Sequence, residues 1–301
     1  MFDFHSKAIE QLINRAIADL AVQDDFTTDS QGSARVIGSQ DLVCAGLPLA
    51  AIVFQKVDPT IEIRHSVNDG DFVREGDSLL QISGNIPAMI HAAHLAFNFM
   101  GSLSGLATLV HRFTEQLQET STKIRTLQTD NSVLSELRQY AIQTGGGSVC
   151  SSNIIRLGTS QIELAGGIRA ALDQAHSDAS IQMIPRSLTA YEAVGSSPEF
   201  QGAEALEIQI EVQNEAELRE ALDAGVESLL FLATTPEAAK QLIELARSLR
   251  PDCIIEISGK ITIHNAHAYA QTGADFLSPS ALTDLTLPAR LTLLVDNPLA
   301  K

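Results

Sequence analysis

The sequence predicts an α/β protein: an N-terminal α+β layer domain followed by an incomplete, six-stranded TIM-like α/β barrel. Three observations carry that assignment. From about Lys123 onward, short β-branched runs alternate with amphipathic stretches; residues 1–117 lack that rhythm; and small, neutral residues follow most of the runs. Alternating strands and helices imply a parallel sheet with right-handed crossovers. Six such units closing on themselves make a barrel, with an open doubly wound sheet as the alternative.

In the first part, His5 to Ala21 reads as an amphipathic helix, with Ile9, Leu12, Ile13, Ala16 and Leu20 on one face. Asp25-Phe26-Thr27-Thr28-Asp29 reads as a loop. Strand-like runs follow at Ala34–Ile37, Leu42–Ala45, Ile61–His65 and Ser78–Ser83, with turns at Asp69-Gly70-Asp71 and Glu75-Gly76-Asp77. Helices are expected around Ala88–Phe99 and Ala107–Glu119. In the second part, strands are expected at Ile124–Leu127, Ile154–Leu157, Leu206–Ile210, Ser228–Leu232, Ile254–Ile257 and Phe276–Ser278. The helices between them are Val133–Gln143, Gly167–Ala175, Glu215–Ala224 with Asn214 as N-cap, Pro236–Ser248 and Ile263–Thr272. The tail after Leu285 is apolar and is expected to pack back on the first domain. The domains are thus 1–117, joined by tail 286–301, and the barrel at 118–285.

Composition narrows the partners. The 301 residues include 20 Lys+Arg against 37 Asp+Glu, a formal charge of −17, and 5 % aromatics with no Trp, so the core is aliphatic. An acidic chain is a poor ligand for nucleic acid, whose affinity comes from neutralised phosphates, and for anionic membranes. Ile86 to His111 contains no Asp, Glu, Lys or Arg. It exceeds the about 20 residues of a bilayer span, yet His91, His94, Asn98, Ser102 and Ser104 favour a buried helix. Three cysteines without CxxC spacing fit a reducing cytoplasm. His91/His94 and His264/His267 each offer half of a metal site with no matching third ligand.

Strand C-termini build the active site of a (β/α) barrel. Here they run into Gln128-Thr129-Asp130-Asn131, Gly158-Thr159-Ser160-Gln161, Leu232-Ala233-Thr234-Thr235, Ser258-Gly259-Lys260 and Ser278-Pro279-Ser280. Ser258-Gly259-Lys260 reads either as a helix-opening phosphate cradle or as a turn needing glycine. Glu207, Gln209 and Glu211 share one strand face, as a functional cluster or as a polar barrel filling. Asp130 is a loop or cap residue more readily than a base. Gly145-Gly146-Gly147 lacks dinucleotide spacing and is expected to pass close to a dimer partner or pocket.

Several segments, taken in order, resemble the quinolinate phosphoribosyltransferase family. They are Asp25-Phe26-Thr27-Thr28-Asp29, Cys44-Ala45-Gly46-Leu47, Asn98-Phe99-Met100, Leu103-Ser104-Gly105-Leu106-Ala107-Thr108 and Tyr140-Ala141-Ile142 before Gly145-Gly146-Gly147. Further on come Ala165-Gly166-Gly167-Ile168, Glu207-Ile208-Gln209-Ile210-Glu211, Ile257-Ser258-Gly259 and Tyr269-Ala270-Gln271-Thr272-Gly273-Ala274-Asp275-Phe276. The resemblance implies an obligate dimer in which one N-terminal domain completes the partner's active site. It also implies a reaction joining quinolinate to phosphoribosyl pyrophosphate, giving nicotinate mononucleotide, CO2 and pyrophosphate. Such a site is a ring of Arg, Lys and His, with acidic groups for ribose and magnesium.

This chain departs from that ring at most positions. The family's Asp-Thr-Arg-Lys-Thr is Gln128-Thr129-Asp130-Asn131-Ser132, its Lys before Tyr-Ala-Val is Gln139, and its Lys-Asp-Asn-His is Gly158-Thr159-Ser160-Gln161. Its Asn-His-Arg has no counterpart in Ser148–Asn153, a family Arg aligns with His94, Gln-Arg is Gly101-Ser102, and an Asp is Leu232. Glu207, the Ser258-Gly259 turn and Lys260 remain, while Asp178 to Glu204, with Pro185 and Arg186, reads as an insertion. The positional candidates for ligand contact are His94, Thr129, Asp130, Asn131, Ser160, Gln161, Glu207, Ser258, Gly259, Lys260 and Ser280. No residue is assigned a catalytic or metal-binding role. The expected protein is a cytoplasmic homodimer or higher homo-oligomer, a non-catalytic or altered-ligand paralogue open to a protein partner or a small ligand. Mg2+ is expected only if the family reaction is retained. A working transferase with a rebuilt site is one alternative, and an enzyme for a neutral or cationic substrate another.

Overall fold

The computed structural model describes residues 2–19, 30–126, 132–149, 154–182, 207–232, 234–284 and 287–296. The Asp25–Asp29 loop, Thr129, Asp130, Asn131, Cys150, Pro185 and Arg186 lie outside them. The chain divides into one unit of Met1–Gln116, Ile124–Val149 and Ala281–Lys301 and a second of Leu117–Lys123 and Cys150–Ser280. Residues 124–149 therefore group with the first part of the chain.

In the first unit, α1 (Lys7–Ala18) starts at Ser6, whose hydroxyl accepts from Ile9 N–H, and buries Ile9 and Ile13. Then follow β1 (Gln31–Gly38), β2 (Leu42–Val43), α2 (Leu47–Val57), β3 (Glu62–His65), β4 (Phe72–Val73), β5 (Ser78–Asn85) and α3 (Ile86–Glu115). Beyond them come β6 (Lys123–Thr126), α4 (Val133–Thr144) and β7 (Ser148–Val149). The two helices expected between Ala88 and Glu119 are one 30-residue helix, α3. Glycine weakens a helix but does not break it, and Gly101 and Gly105 are both buried within this one. α3 is long and apolar enough to cross a membrane by composition. Met89, Ala92, Ala96, Met100, Leu103 and Val110 are nevertheless packed inside the unit.

Hydroxyls on α3 serve the neighbouring backbone. Ser104 Oγ accepts from Ala45 N–H at 2.9 Å, and Thr108 Oγ1 accepts from Val43 N–H at 2.8 Å. Beneath this joint Asp69 closes the start of α2. Its carboxylate accepts from the N–H groups of Gly46 (2.8 Å) and Leu47 (3.0 Å) and from Tyr140 Oη on α4 (2.5 Å). Phe2 and Phe4 pack their rings on Tyr140. Burial, with Asp69 and Asp71 beside it, pushes the Cys44 thiol well above its usual range; burial and the Asp69 bond do the same to the Tyr140 phenol. Raised acids keep their protons longer in the folded chain. Their stabilisation is therefore complete below the ordinary Cys value of about 8.5 and is lost as pH rises past it and past about 10 for Tyr. Urea midpoints should fall between about pH 8 and pH 11, and fall less in a Cys44→Ala, Tyr140→Phe double variant.

In the second unit five parallel strands form a run: β8 (Ile154–Leu157), β9 (Glu207–Val212), β10 (Ser228–Leu232), β11 (Ile254–Gly259) and β12 (Phe276–Pro279), hydrogen-bonded in that order. Between them lie α5 (Thr159–Ala165), α6 (Ile168–Gln182), α7 (Glu215–Asp223), α8 (Pro236–Leu249) and α9 (Ala266–Ala270). Asn214 caps α7 as expected, accepting from Glu217 N–H at 3.1 Å. Arg247 of α8 donates to Asp275 Oδ2 at 2.7 Å, and the same oxygen accepts from Ile255 N–H, fastening the start of β11.

The chain then returns to the first unit as α10 (Ala281–Asp284) and β13 (Leu291–Asp296). β13 pairs antiparallel with β1, Ser33 opposite Asp296 and Gly38 opposite Leu291, giving the sheet order β13-β1-β5-β3. To get there, residues 287–289 cross α3 at Gly101 and Gly105, and Ala289 N–H donates to Gly101 O at 2.8 Å. A Cβ on Gly105 would stand 2.3 Å from Leu287 O. Glycine is required here by close approach. Gly145 and Gly147 are the second such place: a Cβ on Gly145 would lie 2.4 Å from Ala107 O, so the triplet packs on α3 of its own chain.

Candidate functional site

A strand alternates its side chains, so parallel register decides which groups meet on one face. Arg156 lies opposite Gln209, Gln209 opposite Ser228, and Ser258 opposite Ser278. Arg156 Nε donates to Gln209 Oε1 at 2.7 Å and Nη2 to Glu256 Oε1 at 2.9 Å. Gln209 Nε2 donates to Glu256 Oε2 (3.1 Å) and Ser228 Oγ (3.3 Å), and Ser278 Oγ donates to Glu256. Glu256, Gln209 and Ser228 are fully buried, whereas a fifth of the Arg156 side chain is exposed. Out of water a carboxylate survives only when paired and hydrogen-bonded; Glu256 has a cation, an amide and a hydroxyl.

One pleat further along β9, Glu211 accepts from Thr159 Oγ1 at 2.7 Å and Thr159 N–H at 3.3 Å, and Gln213 Nε2 donates to Thr159 Oγ1. Glu207 sits half-buried at the start of the same strand. Gln209 thus belongs to a polar barrel filling, while Glu211 stands at the end where β8 gives way to α5.

The other expected contacts divide. Ser258 Oγ donates to Ser278 O, and Gly259 O accepts from Ser280 N–H (2.9 Å) and Ile261 N–H (2.8 Å), so Ser258, Gly259 and Ser280 do come together. Gly259 has φ +136°, a conformation that suits glycine. The turn does not open a helix, contrary to the cradle reading: α9 begins only at Ala266 and is five residues long. Lys260 is exposed. Gln161 Oε1 accepts from Gly158 N–H at 2.9 Å, which makes it a cap of α5, and Ser160 beside it is exposed. His94 lies exposed on α3 in the first unit. Thr129, Asp130 and Asn131 fall outside the described residues. Among those described, no three His, Cys, Asp or Glu side chains converge as a metal site would need.

Reading past the strand ends missed Arg156 and Glu256, which lie within them. The available signal was one charge of each sign, each in an otherwise apolar strand: Ile154-Ile155-Arg156-Leu157 and Ile254-Ile255-Glu256-Ile257. Across β8 to β12 the only charged residues are Arg156, Glu207, Glu211 and Glu256, one cation against three carboxylates.

Comparisons with known proteins bear on this architecture. A family model for the quinolinate phosphoribosyl transferase C-terminal domain matches residues 106–293, and one for the N-terminal domain matches residues 15–104. A probable nicotinate-nucleotide pyrophosphorylase (carboxylating) of Synechocystis is 26 % identical over 281 residues, covering 91 % of this chain and 88 % of the relative. The chloroplastic enzyme of that name from Arabidopsis thaliana is 27 % identical over 295 residues, covering 94 % and 79 %. Among solved structures, the nicotinate-nucleotide pyrophosphorylase of Francisella tularensis superposes with a TM-score of 0.80 at 22 % identity, covering 95 % of each chain. NadC from Streptococcus pyogenes gives 0.79 at 22 % identity, covering 99 % and 100 %. The similarity shows the fold that the strand and helix rhythm predicts, an N-terminal domain followed by a barrel-like one.

Proposed function

The chain belongs to the quinolinate phosphoribosyltransferase family, and from that premise we propose that it is a member which does not carry out the reaction its relatives are named for. It acts as a non-catalytic or altered-ligand paralogue in the cytoplasm, as a homodimer. The observation that carries this reading is the charge on strands β8 to β12: Arg156 against Glu207, Glu211 and Glu256, with Arg156 already held by Glu256. The relatives' reaction in NAD biosynthesis would require two polyanions side by side. Losing one hydrogen-bonded charge contact to a buried anion costs about 2–5 kcal/mol, and a neighbouring carboxylate adds repulsion. Mg2+ does not fit the described residues either. Glu256 is filled by its three donors and Glu211 is turned to Thr159, which leaves no octahedral set of oxygens.

The test is direct. The purified protein is incubated with quinolinate, phosphoribosyl pyrophosphate and Mg2+, and nicotinate mononucleotide is measured by chromatography. No product above a boiled control is the expected result. Turnover at an ordinary enzymatic rate, about 1 per second or faster, would establish a rebuilt but working transferase instead.

A further inference from the structure

The Arg156 guanidinium is planar and carries five N–H donors in a fixed fork. The edge formed by Nε and Nη2 is occupied by Gln209 Oε1 and Glu256 Oε1. The opposite edge, Nη1 with the second Nη2 hydrogen, makes no hydrogen bond among the described residues, and the side chain is 20 % exposed. A guanidinium held on one edge by buried acceptors and open on the other is preorganised, because the acceptors have already fixed its orientation.

We propose that the open edge of Arg156 receives the single planar carboxylate of a small ligand at the barrel interior. Two parallel N–H donors match the two oxygens of one carboxylate. On β9 and β11 the neighbouring charges are carboxylates, which disfavours a second negative group on the ligand. Glu256 already balances the Arg156 charge, and Glu211 lies one pleat, about 7 Å, beyond Gln209 on the same strand face. A second negative group on the ligand would meet a carboxylate there. The proposal rests on the altered-ligand reading above and names its ligand class, a monocarboxylate.

Benzoate is the probe. Calorimetric titration into the wild-type protein should give saturable binding, with a shift of the Arg156 Nε resonance in 15N-labelled protein. Quinolinate, a dicarboxylate, and pyrophosphate should bind more weakly than benzoate. Arg156→Lys keeps the charge but loses the fork, and should weaken benzoate by about tenfold or more. The double variant Arg156→Met, Glu256→Met removes the receptor together with its buried counter-charge and should abolish binding. Absence of saturable binding to wild type, or wild-type affinity in the lysine or the double variant, would overturn the proposal. If the family substrates are turned over while benzoate still binds through Arg156, the non-catalytic reading fails and the receptor stands.

Discussion

Replacing Arg156 alone with methionine is expected to destabilise the protein by about 3–5 kcal/mol, because it removes one partner of a hydrogen-bonded ion pair whose carboxylate, Glu256, is fully buried. Glu256 has no exposed surface, and Gln209 and Ser278 can donate to it but cannot neutralise it. The Arg156→Met, Glu256→Met double variant should recover most of the loss, since paired removal of a buried ion pair is often neutral or stabilising. A thermal or urea melt of the three proteins checks both statements. If the single variant is as stable as the double, the pair contributes no coupling.

Gly105→Ala is the second large effect expected. The added methyl carbon would lie 2.3 Å from Leu287 O, 3.0 Å from Ala289 N and 3.1 Å from Pro288 Cα. All three are backbone atoms, so no side-chain rotation relieves the clash. Overpacking a close-fitted contact costs about 1–3 kcal/mol, occasionally more, and the upper end applies because the crossing backbone of residues 287–289 must shift as a whole. Alanine's higher helix propensity returns about 1 kcal/mol or less. The expected outcome is a melting point lowered by roughly 4–8 °C, with residues 287–296 cut first by a dilute protease. A melting point unchanged or raised would show that the crossing does not depend on Gly105. Gly76→Ala is a suitable contrast, since nothing lies within 4 Å of its Cβ position and only its positive φ opposes the change.

Much of the fold was legible because periodicity reports burial. The runs Ser228–Leu232 and Ile254–Ile257 are strands, and Asn214 caps the helix after β9. Helix α2 escaped notice because Leu47–Val57 is apolar on nearly all faces and gives no amphipathic stripe, as its buried Leu47, Leu49, Ala50, Val53 and Phe54 explain. The two-residue strands β4 and β7 are too short for any period to show. The site was less legible than the fold. Spacing marks which residues follow a strand, but Arg156 and Glu256 are a hundred residues apart, and only the β8-to-β11 arrangement makes them neighbours. Gln161 could not be recognised as a helix cap rather than a ligand contact until Gly158 N–H was seen to point at it.

The pairing of β13 with β1 has a consequence for biosynthesis. Ser33 and Asp296 are 263 residues apart, so β1 has no partner on its β13 side until that intervening stretch has been made. At about 5–20 residues per second, β1 waits roughly 13–50 s for its partner. During that interval the backbone of β1 is a free template on the ribosome, open to strands from other nascent chains.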